Sequence, residues 1–161
     1  MIGDEASRKK AEFYNSLPRK RSAVGVLLFR KSDLLVVEPS YRPEWLVPGG
    51  VVESGESLSE AAGRECLEEI GCKVQMRSLL CVDYKSGSAD TGDAIHFLFL
   101  GELAEGDQPY ADGREIKSVQ WLEPSSALVK LDRALALRVS CAMEAMKAGR
   151  TVYCENGKIV F

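Results

Sequence analysis

Histidine is nearly absent from this chain, with one residue, His96, in 161. A Ser-His-Asp nucleophile system would have to use that single imidazole, and no such arrangement is evident around it. His96 alternates with Ile95 and Phe97 inside a β-favouring run. It therefore faces opposite to them, and a structural or solvent-facing role is the reading it supports. Cysteine is limited to five residues, at positions 66, 72, 81, 141 and 154. None has CxxC or Cys/His spacing, which argues against a zinc-finger-type site, and an odd number does not suggest a disulfide framework. Reduced thiols in a cytoplasmic setting are the simplest expectation. No run is long and apolar enough to span a membrane. The charged N-terminal stretch lacks the apolar centre of a signal peptide. Nor does positive charge dominate: 21 Lys and Arg stand against 24 Asp and Glu, a net charge of −3. Without a basic stripe, stable binding to a nucleic-acid backbone is not expected.

The length suits one α/β domain over 1–161 with a sizeable core. Ser22 to Phe29 (SAVGVLLF) and Leu34 to Glu38 are β-favouring, and the intervening Arg30-Lys31-Ser32-Asp33 reads as the turn of a hairpin. Trp45 to Val47 is a short strand. Lys73 to Tyr84, Asp93 to Leu100 and Ile116 to Leu122 are further strands, with a loop from Lys85 to Gly92. Ser125 to Val129 reads as a short helix. Leu131 to Ala148 reads as a long one, with Asp132 near its start and Gly149 past its end. Such a mixture implies a mixed sheet covered by helices on both faces. The first 17 residues form a helical extension that runs into the basic cluster Pro18-Arg19-Lys20-Arg21. That cluster is either a solvated strand entrance or a phosphate contact. At the other end, Asn156-Gly157 between two β-favouring runs marks a hairpin over 150–161. This hairpin could cover a sheet edge, frame a pocket or serve a homodimer.

The densest signal is residues 50 to 72, GVVESGESLSEAAGRECLEEIGC. No proline interrupts Leu58 to Ile70, and its Glu, Ala, Leu and Arg content favours a helix. Ser57 followed by Glu60 is a capping-box pattern, and Gly71 ends the run as a C′ glycine. At about 100° per residue, Glu65, Glu68 and Glu69 fall within roughly 100° of arc. Ala62, Gly63, Cys66 and Ile70 fall on the adjacent, core-facing arc. A glycine at 63 costs about 1 kcal/mol relative to alanine, so close approach of a neighbouring element is expected there. Three carboxylates at i, i+3 and i+4 repel one another. A hard divalent cation with oxygen ligands relieves that repulsion, and Mg²⁺ also bridges to phosphate oxygens.

The spacing of Gly50, Glu56, Arg64, Glu65, Glu68, Glu69 and Gly71 matches the Nudix box at every fixed position. At residue frequencies of ~6–7%, a chance match is on the order of 10⁻⁸ per start position. Cys66 and Cys72 stand where an aliphatic residue is usual, and buried cysteine behaves as a small hydrophobe. Trp45-Leu46-Val47-Pro48-Gly49-Gly50 resembles the family's lead-in to the box. The resemblance implies an α/β fold of Nudix type, a mixed β-sheet sandwiched between α-helices, here with a C-terminal β-hairpin. It implies hydrolysis of a nucleoside diphosphate linked to another group, by attack of water on phosphorus with Mg²⁺ or Mn²⁺. Glu65, Glu68, Glu69 and the Gly50 carbonyl are then the expected metal ligands. Glu56 and Arg64 would brace the loop against the helix, and Glu65 or Glu69 would act as general base. Glu115 matches a further acid that relatives recruit from outside the box, with Asp90 and Asp93 as alternatives.

The substrate is less marked. The proline of ADP-ribose pyrophosphatases after the box is missing, as are the signatures of NADH and coenzyme A pyrophosphatases. Tyr84 lies earlier than the tyrosine typical of dinucleoside polyphosphate hydrolases. Nucleoside triphosphates or nucleotide sugars remain, with Tyr41, Trp45 and Tyr84 as aromatics able to stack on a base. A non-catalytic nucleotide-binding module of the same fold is the alternative, but such modules usually lose box glutamates that this chain keeps.

Overall fold

A computed structural model of the protein describes residues 2–161. The elements in chain order are α1 (Ile2–Ser16), β1 (Arg21–Leu27), β2 (Phe29–Arg30), β3 (Asp33–Pro39), α2 (Leu58–Ile70), β4 (Val74–Lys85), β5 (Ala94–Leu103), β6 (Ile116–Leu122), α3 (Pro124–Lys130), α4 (Arg133–Ala148), β7 (Val152–Glu155) and β8 (Lys158–Ile159). They build an α/β fold with a five-stranded mixed sheet, β1-β5-β4-β7-β8, and a three-stranded sheet, β2-β3-β6.

The hairpin read from SAVGVLLF and the following run is only partly present. β1 pairs in parallel with β5, and only the two residues of β2 pair back onto β3. The chain leaves one sheet and joins the other at Leu28, whose carbonyl accepts from Leu35 N–H. The reason is burial. Val24, Val26, Leu27 and Leu28 are all enclosed, and an almost continuous apolar run suits a strand covered on both faces. Even-numbered Val24 and Val26 pack with Ala62, Cys66 and Ile70 of α2. Leu27 packs on the opposite side with Leu98, Val139 and Ala142, the last two from α4.

Helix α2 begins and ends where its chemistry dictates. Ser57 and Glu60 form a reciprocal capping box, and Gly71 closes the helix at φ 68°. Gly63 differs from expectation, because a Cβ built on it would meet nothing within 4 Å. No neighbour requires the glycine, so its entropic cost is uncompensated. Gly63→Ala is expected to stabilise the protein by about 0.5–1 kcal/mol. Urea unfolding would check this, and a loss of stability would reveal a contact absent from this structure. At the C-terminus, Asn156 and Gly157 take the positive φ values of a two-residue turn, as hairpins of this length prefer. β7 lies parallel to β4, so the hairpin extends the five-stranded sheet.

Candidate active site

The centre of the site is a glycine loop stitched to the edge of β1. Val24 N–H donates to Gly50 O and Val26 N–H to Pro48 O, both at 2.8 Å, and Val52 N–H donates to Ser22 O. Gly49 lies at φ 149°, where a Cβ would collide with the Val24 carbonyl, and a Cβ on Gly50 would collide with the Glu65 carboxylate. At Gly49 only glycine lets the backbone pass this close to β1, whereas at Gly50 a side chain would displace the Glu65 carboxylate.

Helix α2 brings its acids to this loop in three different states. Glu69 is 5% exposed. One of its oxygens accepts from Gly49 N–H at 2.9 Å, and it has no cationic partner among the described residues. Burial is the main cause that pushes its pKa up to about 8; the Gly49 hydrogen bond opposes this, and the Glu65, Glu115 and Glu68 charges add to it. Burial also raises Glu65, although Arg64 donates to it at 2.8 Å. Glu68 is more than half exposed and accepts from Arg64 at 3.1 Å. Among the described residues, no three His, Cys, Asp or Glu side chains gather as a metal shell. Arg64 takes up both Glu65 and Glu68 in this arrangement, and the Gly50 carbonyl is already engaged by Val24, with one lone pair left.

Arg64 also grips Glu56 through two bonds, Nε to Oε1 at 2.8 Å and Nη2 to Oε2 at 3.1 Å, and reaches the Val51 carbonyl. The bidentate pair ties α2 to the loop before it. It raises the Arg64 pKa and lowers that of Glu56. Glu115 stands close enough for its charge to raise Glu65, Glu69 and Tyr41. Asp112 holds the segment before β6 by accepting from the N–H groups of Arg114, Glu115 and Ile116. Asp93 instead pairs with Lys20. Of the aromatics, Trp45 lies under the Lys130 ammonium and Tyr84 under that of Lys20, while Tyr41 is exposed.

Beside the loop, a cleft of about 260 Å³ opens between β1, β5 and the start of α4. Its lining includes Gly25, Gly50, Arg21, Lys85, His96 and Arg138. His96 is not solvent-facing: its Nε2 is buried without a hydrogen-bond partner among the described residues. Burial above all, then Arg138, lowers its pKa to about 4, while Asp83 opposes that shift. A lowered pKa means the fold holds the neutral ring. The linked instability is absent above pH 6.5 and grows as pH falls from there, because protons then favour the unfolded chain, whose imidazole binds them. An NMR titration of this sole imidazole should give a midpoint near 4. A midpoint at the ordinary value of about 6.5 would show a ring open to water.

The α/β layered fold presents clustered acids beside a glycine loop, and its class follows from its relatives, which are hydrolases of phosphoanhydrides. The chain belongs to the NUDIX family: the NUDIX domain model matches residues 19–141. A candidate 8-oxo-dGTP diphosphatase of Bacillus subtilis (strain 168) is 34% identical over 104 residues, which cover 65% of this chain and 66% of that protein. An ADP-ribose pyrophosphatase of Methanocaldococcus jannaschii is 35% identical over 94 residues, 53% of this chain and 55% of its own length. A crystal structure of a UDP-X diphosphatase superposes with a TM-score of 0.72 at 21% identity, covering 92% of this chain and 74% of the other. That likeness speaks for the fold.

Proposed function

We propose that the protein hydrolyses the diphosphate linkage of a small molecule in which a nucleoside diphosphate is joined to a second group, with Mg²⁺ as cofactor and Mn²⁺ as a substitute. The observation that carries this reading is Glu69. A buried carboxyl with no cationic partner, facing other carboxylates, is stable only when protonated or when a cation joins it. The charges that act on it, Glu65, Glu115 and Glu68, are carboxylates, and oxygen ligands suit a hard divalent ion. Glu65, Glu68, Glu69 and the Gly50 carbonyl would hold that ion. When bound, it would neutralise phosphate oxygens and make a bound water more acidic.

The chain's own residues then divide the remaining work. Arg64 and Glu56 lock the loop to α2, so that the Gly49–Gly50 backbone stays beside the acids. Glu69 or Glu65 receives the proton of the attacking water, and Glu115 is the further acid at the rim. The names of the relatives support the substrate class: a candidate 8-oxo-dGTP diphosphatase and an ADP-ribose pyrophosphatase are both named for nucleotide phosphoanhydrides. The test is phosphate release, with Mg²⁺ and with EDTA, from nucleoside triphosphates (normal and oxidised), ADP-ribose, nucleotide sugars, dinucleoside polyphosphates and NADH, each coupled to a phosphatase or a pyrophosphatase that frees phosphate from the products. Turnover of at least one class in Mg²⁺ and none in EDTA is expected. Nucleotide binding without turnover in any class would instead indicate a non-catalytic binding module.

A further inference from the structure

We propose that the cleft between the β1-β5-β4 face and α4 receives the part of the substrate remote from the scissile diphosphate, and that this part carries an anionic group held between Arg21 and Lys85. The inference rests on the hydrolase reading and narrows its substrate class.

The strand register supplies the geometry. Arg21, Ala94 and Lys85 are direct partners across β1, β5 and β4, so the three side chains stand in one row on one face. The two cations lie two strands apart, roughly 10 Å between their backbones. Between them stands Ala94, a small residue that is itself fully buried. Two rows along the same strands lie Ala23, His96 and Asp83. Both cations line the cleft that reaches Gly49 and Gly50.

Among the cations that line the cleft, Arg21, Arg42, Lys85 and Arg138, charge pairing singles these two out. Lys20 is held by Asp93, Arg42 by Glu44 and Asp132, and Arg138 by Asp83. Among the described residues, no carboxylate pairs with Arg21 or Lys85, and the Arg21 guanidinium donates to the Thr91 carbonyl. Two uncompensated cations in one row on one face of a sheet repel, and an anion between them lowers that cost. In a chain of net charge −3, this is a local feature rather than a general basicity. Behind them the buried, unpartnered Nε2 of His96 offers a neutral hydrogen bond to the ring or group that bears the anion. A site that satisfies such an atom only when filled explains its isolation. The cleft, about 260 Å³, is slightly below the ~300 Å³ at which ligand pockets begin, so it takes one ring and not a second nucleoside.

Phosphate and carboxylate share the required chemistry, and matched probes separate them. UDP-glucuronate would be compared with UDP-glucose, and ADP-ribose 2′-phosphate with ADP-ribose. Dissociation constants would be measured in EDTA, with the His96 ring resonances recorded in parallel. The charged member of at least one pair should bind about tenfold tighter and shift the His96 signals. Lys85→Gln and Arg21→Gln should each abolish that preference, bringing the affinity of the charged member down to that of its neutral twin. Preference in the first pair alone assigns a carboxylate, and in the second alone a phosphate. Equal affinities within both pairs, a preference that survives both substitutions, or unmoved His96 signals would overturn the proposal. Because binding is read without metal or turnover, failure here is distinct from failure of the hydrolase reading, which only the Mg²⁺-dependent assay decides.

Discussion

Glu69→Gln is expected to lower kcat by about a thousandfold and, in metal-free buffer at pH 8–9, to raise the melting temperature. The two effects have one cause. Glutamine keeps an oxygen that can accept from Gly49 N–H, the bond that Glu69 makes at 2.9 Å, so the loop stays in place. What it loses is the charge. The Glu69 carboxyl is held at about 8, far above its ordinary value of 4.5. A raised carboxyl pKa contributes stability that is complete below 4.5 and is lost as pH rises through about 8. Above pH 8 the metal-free wild type therefore bears an ionised, buried, cation-free acid that the variant does not. A shift of this size corresponds to a few kcal/mol at most, since each pH unit is worth about 1.4 kcal/mol. In a chain of this length, that is a rise of several degrees. Such a result would mean that function is stored as local instability, as is common at sites built to bind charge. Calorimetry in EDTA at pH 5 and pH 9, with kcat measured in Mg²⁺, tests both halves. Near-wild-type turnover would remove Glu69 from the chemistry. A variant less stable than wild type at pH 9 would show that the acid is not held against its own ionisation.

The box and its helix could be read from the sequence because their determinants are local. The Ser57–Glu60 capping box, the Gly71 terminus and the acidic arc depend on spacing within one helix, and spacing is what a sequence displays. β6 and α4 were legible for the same reason: one is bounded by Ile116 and Leu122, the other capped by Asp132 and Gly149. What escaped was set by partners far away in the chain. The pairing of β1 with β5 joins residues about 70 positions apart, and a turn-like Arg30-Lys31-Ser32-Asp33 suggested a longer hairpin than the two-residue β2 that forms. Gly63 suggests a close neighbour, but among the described residues none lies within 4 Å of where its Cβ would be. The burial of His96 was not legible either, because α4 closes over that face from much further along the chain. The row formed by Arg21, Ala94 and Lys85 needs the register of three strands before it exists at all.

Asp83→Ala should be the most destabilising single change outside the site, at about 3–5 kcal/mol. Asp83 is fully buried, and nothing in the sequence marks it, because it sits within a strand of ordinary pattern, Val82-Asp83-Tyr84. Its Oδ2 accepts from Arg138 Nε at 2.8 Å and its Oδ1 from Gly157 N–H at 2.9 Å. One carboxylate thus joins β4, α4 and the turn of the C-terminal hairpin. Alanine would leave the Arg138 guanidinium, itself 5% exposed, without a counter-charge, and would orphan the Gly157 N–H as well. Asp83→Asn would not restore the site, because a single amide oxygen can face Arg138 or Gly157 but not both, and the NH₂ would face the other donor. The double change Asp83→Leu with Arg138→Met removes both charges together. It should recover most of the loss, since apolar replacement of a buried pair is often neutral. Urea unfolding of the two single variants and the double gives the coupling directly. A loss below about 1 kcal/mol for Asp83→Ala, the range of exposed pairs, would mean that water reaches Arg138. The base of the proposed anion cleft would then be open, because Arg138 lines it.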